Sequence, residues 1–227
     1  MAEVKDKLWG DVDQYINGLL APPDPALTAA LEASAKAGLP DIQVTPNQGK
    51  LLHLFARMIG ARRILEVGTL GGYSTIWMAR ALVPGGRLVT LEIDPRHAEV
   101  ARSNFARAGV ADRVELRLGP ALQTLPRLAA EPGGPFDLIF IDADKPGNPE
   151  YFAWAVKLSR VGSVILVDNV IRDGGVVNAA SADPNILGVR RLNELMAREP
   201  RVSATEIQTV GAKGYDGFAL ALVVAEP

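Results

Sequence analysis

The chain has 227 residues, 48% of them hydrophobic and 22% charged, with 24 Lys+Arg against 26 Asp+Glu. That length and apolar content suffice for a full buried core, and a formal charge of −2 gives no general drive toward nucleic acid or an anionic membrane. The absence of cysteine excludes disulfides, thiolate zinc sites and thiol nucleophiles.

From the start of the chain, Leu8, Val12, Tyr15, Ile16, Leu19 and Leu20 recur at spacings of three and four, one apolar helical face. Pro22, Pro23 and Pro25 end that helix, and Pro25 opens a second. A third runs from Pro46 to Gly60. From Arg63 the pattern changes. Strands are predicted at Arg63–Val67, Arg87–Glu92, Val114–Leu118, Phe136–Ile141 and Ser163–Asp168. Helices are predicted between them at Ser74–Leu82, Pro95–Ala108, Ala121–Ala130 and Asn148–Leu158. Nearly continuous apolar strands separated by helices imply parallel strands covered on both faces, the doubly wound α/β arrangement. A last helix, Leu187–Glu199, precedes two strand-like runs, Val202–Gln208 and Gly217–Val224, read as an antiparallel hairpin across the loop 210–217. The expected fold is therefore α/β, a mostly parallel seven-stranded sheet in one domain, with 1–60 a helical extension and 61–227 the α/β core. The opening residues lack an apolar stretch of signal-peptide length, and no apolar run nears the ~18 residues of a membrane span. The expectation is a soluble, cytoplasmic protein.

In such a sheet, ligands bind beyond the carboxyl ends of the strands. After the first strand comes Glu66-Val-Gly-Thr-Leu-Gly-Gly-Tyr-Ser74, where glycines let the backbone turn toward a ligand. A dinucleotide fingerprint needs glycine at 68, 70 and 73, but 70 is Leu and 73 is Tyr, which argues against a nicotinamide oxidoreductase. Glu92 ends the second strand, where a carboxylate accepts from ribose hydroxyls; Asp94, before Pro95, is the better helix cap and leaves Glu92 free. Gly119-Pro-Ala121 leaves space for a flat base. Asp142, Asp168 and Asn169 end the fourth and fifth strands, a hard all-oxygen set suited to Mg²⁺, Mn²⁺ or Ca²⁺. Each of them is also open to a reading as a cap or loop residue. His53 and His97 have no partner at metal-ligand spacing and are read as structural. Trp77 is assigned to the core, and Trp9 to core or interface packing.

Glu-Val-Gly-Thr-x-x-Gly-Tyr-Ser, Asp-Ala-Asp-Lys and Asp-Asn together resemble the cation-dependent O-methyltransferases, the family of catechol and caffeoyl-CoA O-methyltransferases. The resemblance runs from about Val44 to the end, including Lys213-Gly-Tyr-Asp-Gly-Phe218. It implies a Rossmann-like methyltransferase fold and S-adenosylmethionine as cofactor. Glu66, Gly68 and Thr69 would line the methionine and ribose region, with Gly72 and Tyr73 in the same turn. Ser74 would take the methionine carboxylate, Glu92 the ribose, and Ile93 and Ala121 the nucleoside side; the backbone at Val44 would close over the cofactor. Asp142, Asp168 and Asn169 would hold the divalent cation, Mg²⁺ first, with Asp142 also beside the cofactor. Lys145 would be the catalytic base, against the alternative of an ordinary exposed lysine, and Asp144 would touch substrate. The acceptor would be a small hydroxylated aromatic with vicinal hydroxyls, and the assembly a homodimer.

Plant relatives carry an aromatic residue shortly after Asp-Asn, whereas this chain has Arg172 there. Arg172 either meets an acidic or phosphorylated acceptor or pairs with Asp173, and the pairing is slightly preferred. Methylation of a hydroxylated nucleoside in tRNA, which some bacterial relatives perform, ranks lower. Arg62-Arg63, Arg190-Arg191 and Arg172 are a thin basic supply for RNA. A non-catalytic cofactor-binding homologue is the remaining alternative.

Overall fold

The computed structural model describes residues 2–226. Three helices, α1 (Ala2–Leu20), α2 (Pro25–Lys36) and α3 (Pro46–Met58), precede the sheet. Then β1 (Arg63–Val67), α4 (Tyr73–Ala79), β2 (Arg87–Glu92), α5 (Pro95–Arg107), β3 (Val114–Leu118), α6 (Ala121–Ala130), β4 (Leu138–Ile141), α7 (Asn148–Lys157) and β5 (Val164–Asp168) alternate. The chain closes with α8 (Pro184–Arg198), β6 (Val202–Gly211) and β7 (Gly214–Val223).

The helix starts have a common local cause. Asp24, Thr45, Asp94 and Asp183 each stand in extended backbone and accept from the first free N–H groups, with proline in the first turn behind them. Side-chain oxygen before proline satisfies donors that the helix cannot, and proline has no N–H to waste.

The sheet order is β3-β2-β1-β4-β5-β7-β6. Neighbours from β3 to β5 run parallel, while β7 is antiparallel to both β5 and β6. The chain reverses its direction of travel across the sheet between β1 and β4, so a crevice opens beyond the carboxyl ends of those two strands. One apolar core fills the face under α6, α7 and α8, with Leu125, Phe152 and Leu192 on the inner sides of those helices. The other lies under α2 to α5, around Leu27, Leu52, Ile76 and Phe105. β4 and β5 are buried throughout and β1 after its first residue, as their apolar content requires, with Glu66 the buried exception in β1.

Several boundaries differ from expectation. β4 begins at Leu138, because Phe136 N–H bonds to Leu158 O and Asp137 is drawn into a side-chain network. Ser163 likewise donates its hydroxyl to Phe136 O and stands before β5. The expected loop at 210–217 is a two-residue turn, Ala212-Lys213, with pairing continuing to Gly211 and Gly214. The apolar face of α1 is exposed at Leu8, Val12, Tyr15, Leu19 and Leu20, and the buried residue of this helix is Asp13. Asp13 accepts from Asn47 Nδ2 (3.0 Å) and from Ala212 N–H (2.8 Å), so α1 is tied down by polar bonds.

Candidate active site

A cavity of about 600 Å³ lies at the crevice between the ends of β1, β2 and β4. The turn after β1 forms its floor. Gly68 has φ +101° and passes so close to β4 that a Cβ would run into the Asp142 carbonyl, so only glycine fits. Leu70 takes a left-handed φ of +50°, costly for a non-glycine residue, and is held there from below. Glu92, buried at the end of β2, accepts from Thr69 N–H (3.2 Å) and Leu70 N–H (2.8 Å) with one oxygen. Its other oxygen accepts from Ile93 and Asp94 N–H, both at 2.9 Å. A carboxylate has about four acceptor sites, so the expectation of a free Glu92 is corrected: it shapes the turn as well as facing the cavity.

Val44, Thr69, Tyr73, Ser74, Ile93 and Ala121 line this cavity, as does Gly68. Glu66 and Gly72 do not line it but stand behind its wall. Glu66 is fully buried behind Ser74, whose hydroxyl donates to it at 2.5 Å, and it also accepts from Thr75 and Thr90 (2.7 Å). Burial pushes its carboxyl up to about 7, against the pull of those three hydroxyls. Gly72 starts α4 with φ +82°, where a Cβ would strike the Phe105 ring. It sets the turn without touching the cavity.

Asp142, just past the end of β4, lines this cavity, and a second one of about 850 Å³ contains Asp168; Val44, Asn169 and Arg172 belong to both walls. Asp168 is buried. Its oxygens accept from Gln48 Nε2 (2.8 Å) and Asn169 N–H (2.9 Å). Burial and the Asp142 charge push the Asp168 carboxyl up to about 7, while Lys145 and those hydrogen bonds pull it down. Asn169 has φ +57°, a conformation that asparagine tolerates better than most side chains. Lys145, only 8% exposed, reaches Asp142 at 2.9 Å, which overturns the alternative of an ordinary surface lysine. It begins a 3₁₀ turn, Lys145–Gly147, capped by Asp144, which accepts from Gly147 N–H (3.1 Å) and from Tyr151 OH (2.5 Å). Among the described residues no three His, Cys, Asp or Glu side chains converge on one point.

Arg172 does not pair with Asp173. Its guanidinium stands 3.6 Å from Asp216, a partner 44 residues away that spacing alone could not reveal. His97, read as structural, lines the first cavity with Nδ1 3.6 Å from Glu92. His53 keeps its structural role, with Nδ1 3.1 Å from Trp77 O and its ring edge-on to that tryptophan. Gln48 and Tyr151 escaped the sequence reading altogether. Both act through residues that were predicted: Gln48 reaches Asp168 across 120 residues, and Tyr151 reaches Asp144 from the helix that follows it.

The reversed strand order, the glycine turn and the polar cleft define a doubly wound α/β enzyme of the nucleoside-cofactor type. Residues 21–223 match the family model described as O-methyltransferase. A catechol O-methyltransferase from Mycobacterium tuberculosis is 60% identical over 213 residues, covering 94% of this chain and 95% of that protein. A catechol O-methyltransferase from Niastella koreensis is 53% identical over 220 residues, covering 97% and 100%. An O-methyltransferase from Bacillus cereus, solved in complex with SAH, superposes with a TM-score of 0.95 at 56% identity over 96% of this chain and 99% of that one. The chain belongs to the O-methyltransferase family.

Proposed function

We propose that this O-methyltransferase uses S-adenosylmethionine and a divalent cation, Mg²⁺ first, to methylate one hydroxyl of a vicinal diol on a small aromatic molecule. The observation that carries the reading is the pair of adjoining cavities: Asp142 and the buried Lys145 line the first, Asp168 the second, and Asn169 both. The relatives named as catechol O-methyltransferases support the acceptor class, and the SAH-bound relative supports the methyl donor, since SAH is what remains after S-adenosylmethionine gives up its methyl.

The residues present fit both groups. Two carboxylates crowded in a buried place repel each other unless a cation intervenes, and two carboxylates with an amide suit a hard cation that keeps sites open for substrate oxygens. A cleft of about 600 Å³ with an acidic residue on one side and Leu91, Pro120 and Ala121 on another suits a nucleoside. When bound, S-adenosylmethionine supplies a methyl already activated on sulfonium, and the cation lowers the pKa of the acceptor hydroxyl.

The chain's own residues do the rest. Gln48 and the Asn169 N–H fix the Asp168 carboxylate so that its orientation is set before any ligand arrives. Lys145 Nζ, starting as the neutral amine, takes the hydroxyl proton, and Asp142 beside it stabilises the resulting ammonium. Val44, on the segment shared by both cavities, restricts water and aligns donor with acceptor. Alignment of this kind draws on the ~7–11 kcal/mol available to ideal intramolecular orientation. The chain is read as a cytoplasmic homodimer, the exposed apolar face of α1 supporting the pairing.

Asp168→Ala tests the assignment. Asp168 lies outside the first cavity, so the variant is expected to keep S-adenosylmethionine binding by calorimetry while losing about 100-fold or more of Mg²⁺-stimulated turnover. Full Mg²⁺ stimulation in the variant would overturn the metal site.

A further inference from the structure

The acceptor wall contains a cation that the reaction scheme leaves unused. Resting on the reading above, we infer that Arg172 binds a carboxylate on the acceptor, so that the natural substrate is an aromatic vicinal diol bearing an acid side chain.

The lysine and arginine side chains of the two walls make the case. Lys145 is held by Asp142 at 2.9 Å. Lys213 donates to the carbonyls of Gln43 (2.6 Å) and Asp41 (3.3 Å). Among the described residues of the walls, Arg172 is the one whose cationic head makes no hydrogen bond. Its Nη1 stands 3.6 Å from Asp216, beyond hydrogen-bond reach, and its Nε is buried without an acceptor. An N–H left unpaired at a buried place is costly unless a ligand completes it.

The backbone is built to hold this arginine in place. Arg172 and Asp173 have φ of +54° and +53°, conformations unfavourable for residues with a Cβ. Asp216 secures them by accepting from Ile171 and Arg172 N–H, both at 3.0 Å, with the oxygen that also takes Gly217 N–H at 2.9 Å. One Asp216 oxygen thus fixes the turn and the other gives the guanidinium a distant counter-charge. Arg172 lies three residues after Asn169, and both belong to both walls. An acceptor with its hydroxyls at Asn169 therefore has its far end within the reach of Arg172. A planar guanidinium takes a carboxylate through two parallel bonds, a geometry that an ester, an amide or an amine does not offer.

The test compares caffeate, its methyl ester and 3,4-dihydroxyphenethylamine as acceptors in the wild type and in Arg172→Gln and Arg172→Lys, with Mg²⁺ present. The wild type is expected to favour caffeate over the ester by about 10- to 100-fold in kcat/KM, chiefly through KM, with the amine poorest. Arg172→Gln should bring the acid-to-ester ratio to within about twofold of unity, and Arg172→Lys should fall between, keeping charge without the fork. Equal use of acid and ester by the wild type would overturn the inference without recourse to any variant. So would an unchanged ratio in Arg172→Gln. Turnover of neither acceptor by the wild type would overturn the diol reading, and this inference with it.

Discussion

Lys145 and Glu66 are two ionisable side chains whose burial gives them different work. Lys145 sits against Asp142 in a nearly closed place, in the wall of the first cavity. Lys145→Ala is expected to bind S-adenosylmethionine like the wild type in calorimetry and to lose about 100- to 10,000-fold in kcat, the range typical for a lost general base. Wild-type turnover in that variant would remove Lys145 from the chemistry. Glu66 serves the turn instead, collecting the hydroxyls of Ser74, Thr75 and Thr90. Its folded pKa, raised by burial to about 7, stands above the ordinary 4.5. The neutral form therefore favours the fold: its contribution is full below the ordinary value and is lost as pH rises toward 7. Glu66→Gln has no proton to lose, so its melting temperature relative to wild type should increase between pH 4.5 and pH 7.5. A difference independent of pH would contradict the assignment.

The elements owe their positions to a few polar devices as much as to apolar packing. Asp137, just before β4, is the clearest. It accepts from Arg62 and Arg63 N–H at 2.7 and 3.0 Å and from the Arg160 guanidinium, joining the starts of β1, β4 and β5. Burial opposes its charge, but the backbone N–H groups and Arg160 prevail and hold its pKa below the usual 3.8. Its stabilising effect is therefore present above 3.8 and is lost as pH falls through the folded value. Asp137→Asn should cost about 1.5–3 kcal/mol at pH 7 in denaturant unfolding, with the gap to wild type narrowing as the pH falls below 3.8. An undiminished gap in acid would contradict the ion-pair account. The strands were legible because their causes are local, apolar runs for β1, β4 and β5, and so was the Asp94 cap before Pro95; the Asp183–Pro184 start of α8, expected at Leu187, was missed. The antiparallel hairpin was legible too, apart from its two-residue turn, whereas the anchoring of α1 was not. Spacing marked an apolar helical face on α1 but could not show that Asp13, bonded to Asn47 and Ala212, faces inward. The site divides in the same way. Asp142, Asp168 and Asn169 follow from lying at strand ends, whereas Gln48 and the Arg172–Asp216 pair join segments 120 and 44 residues apart.

Across the whole molecule, the fold leaves two surfaces to be explained, the double cavity and the outer face of α1. Leu8, Val12, Tyr15 and Leu19 share that helical face and are 47–70% exposed, an apolar stripe of the kind that a second copy covers. Sedimentation equilibrium over a dilution series is expected to give twice the 24.2 kDa chain mass at micromolar concentration, and Leu19→Glu to shift the population toward monomer. A wild type that sediments only at the single-chain mass would contradict the pairing. The double cavity carries the central claim: Asp142 and the buried Lys145 line one part of it, Asp168 the other, and Asn169 both. The most direct measurement is transfer of labelled methyl from S-adenosylmethionine to caffeate by wild-type protein, first stripped with EDTA and then supplied with Mg²⁺. The account predicts loss of transfer on chelation and its return with Mg²⁺. Transfer that proceeds equally well in EDTA would contradict it.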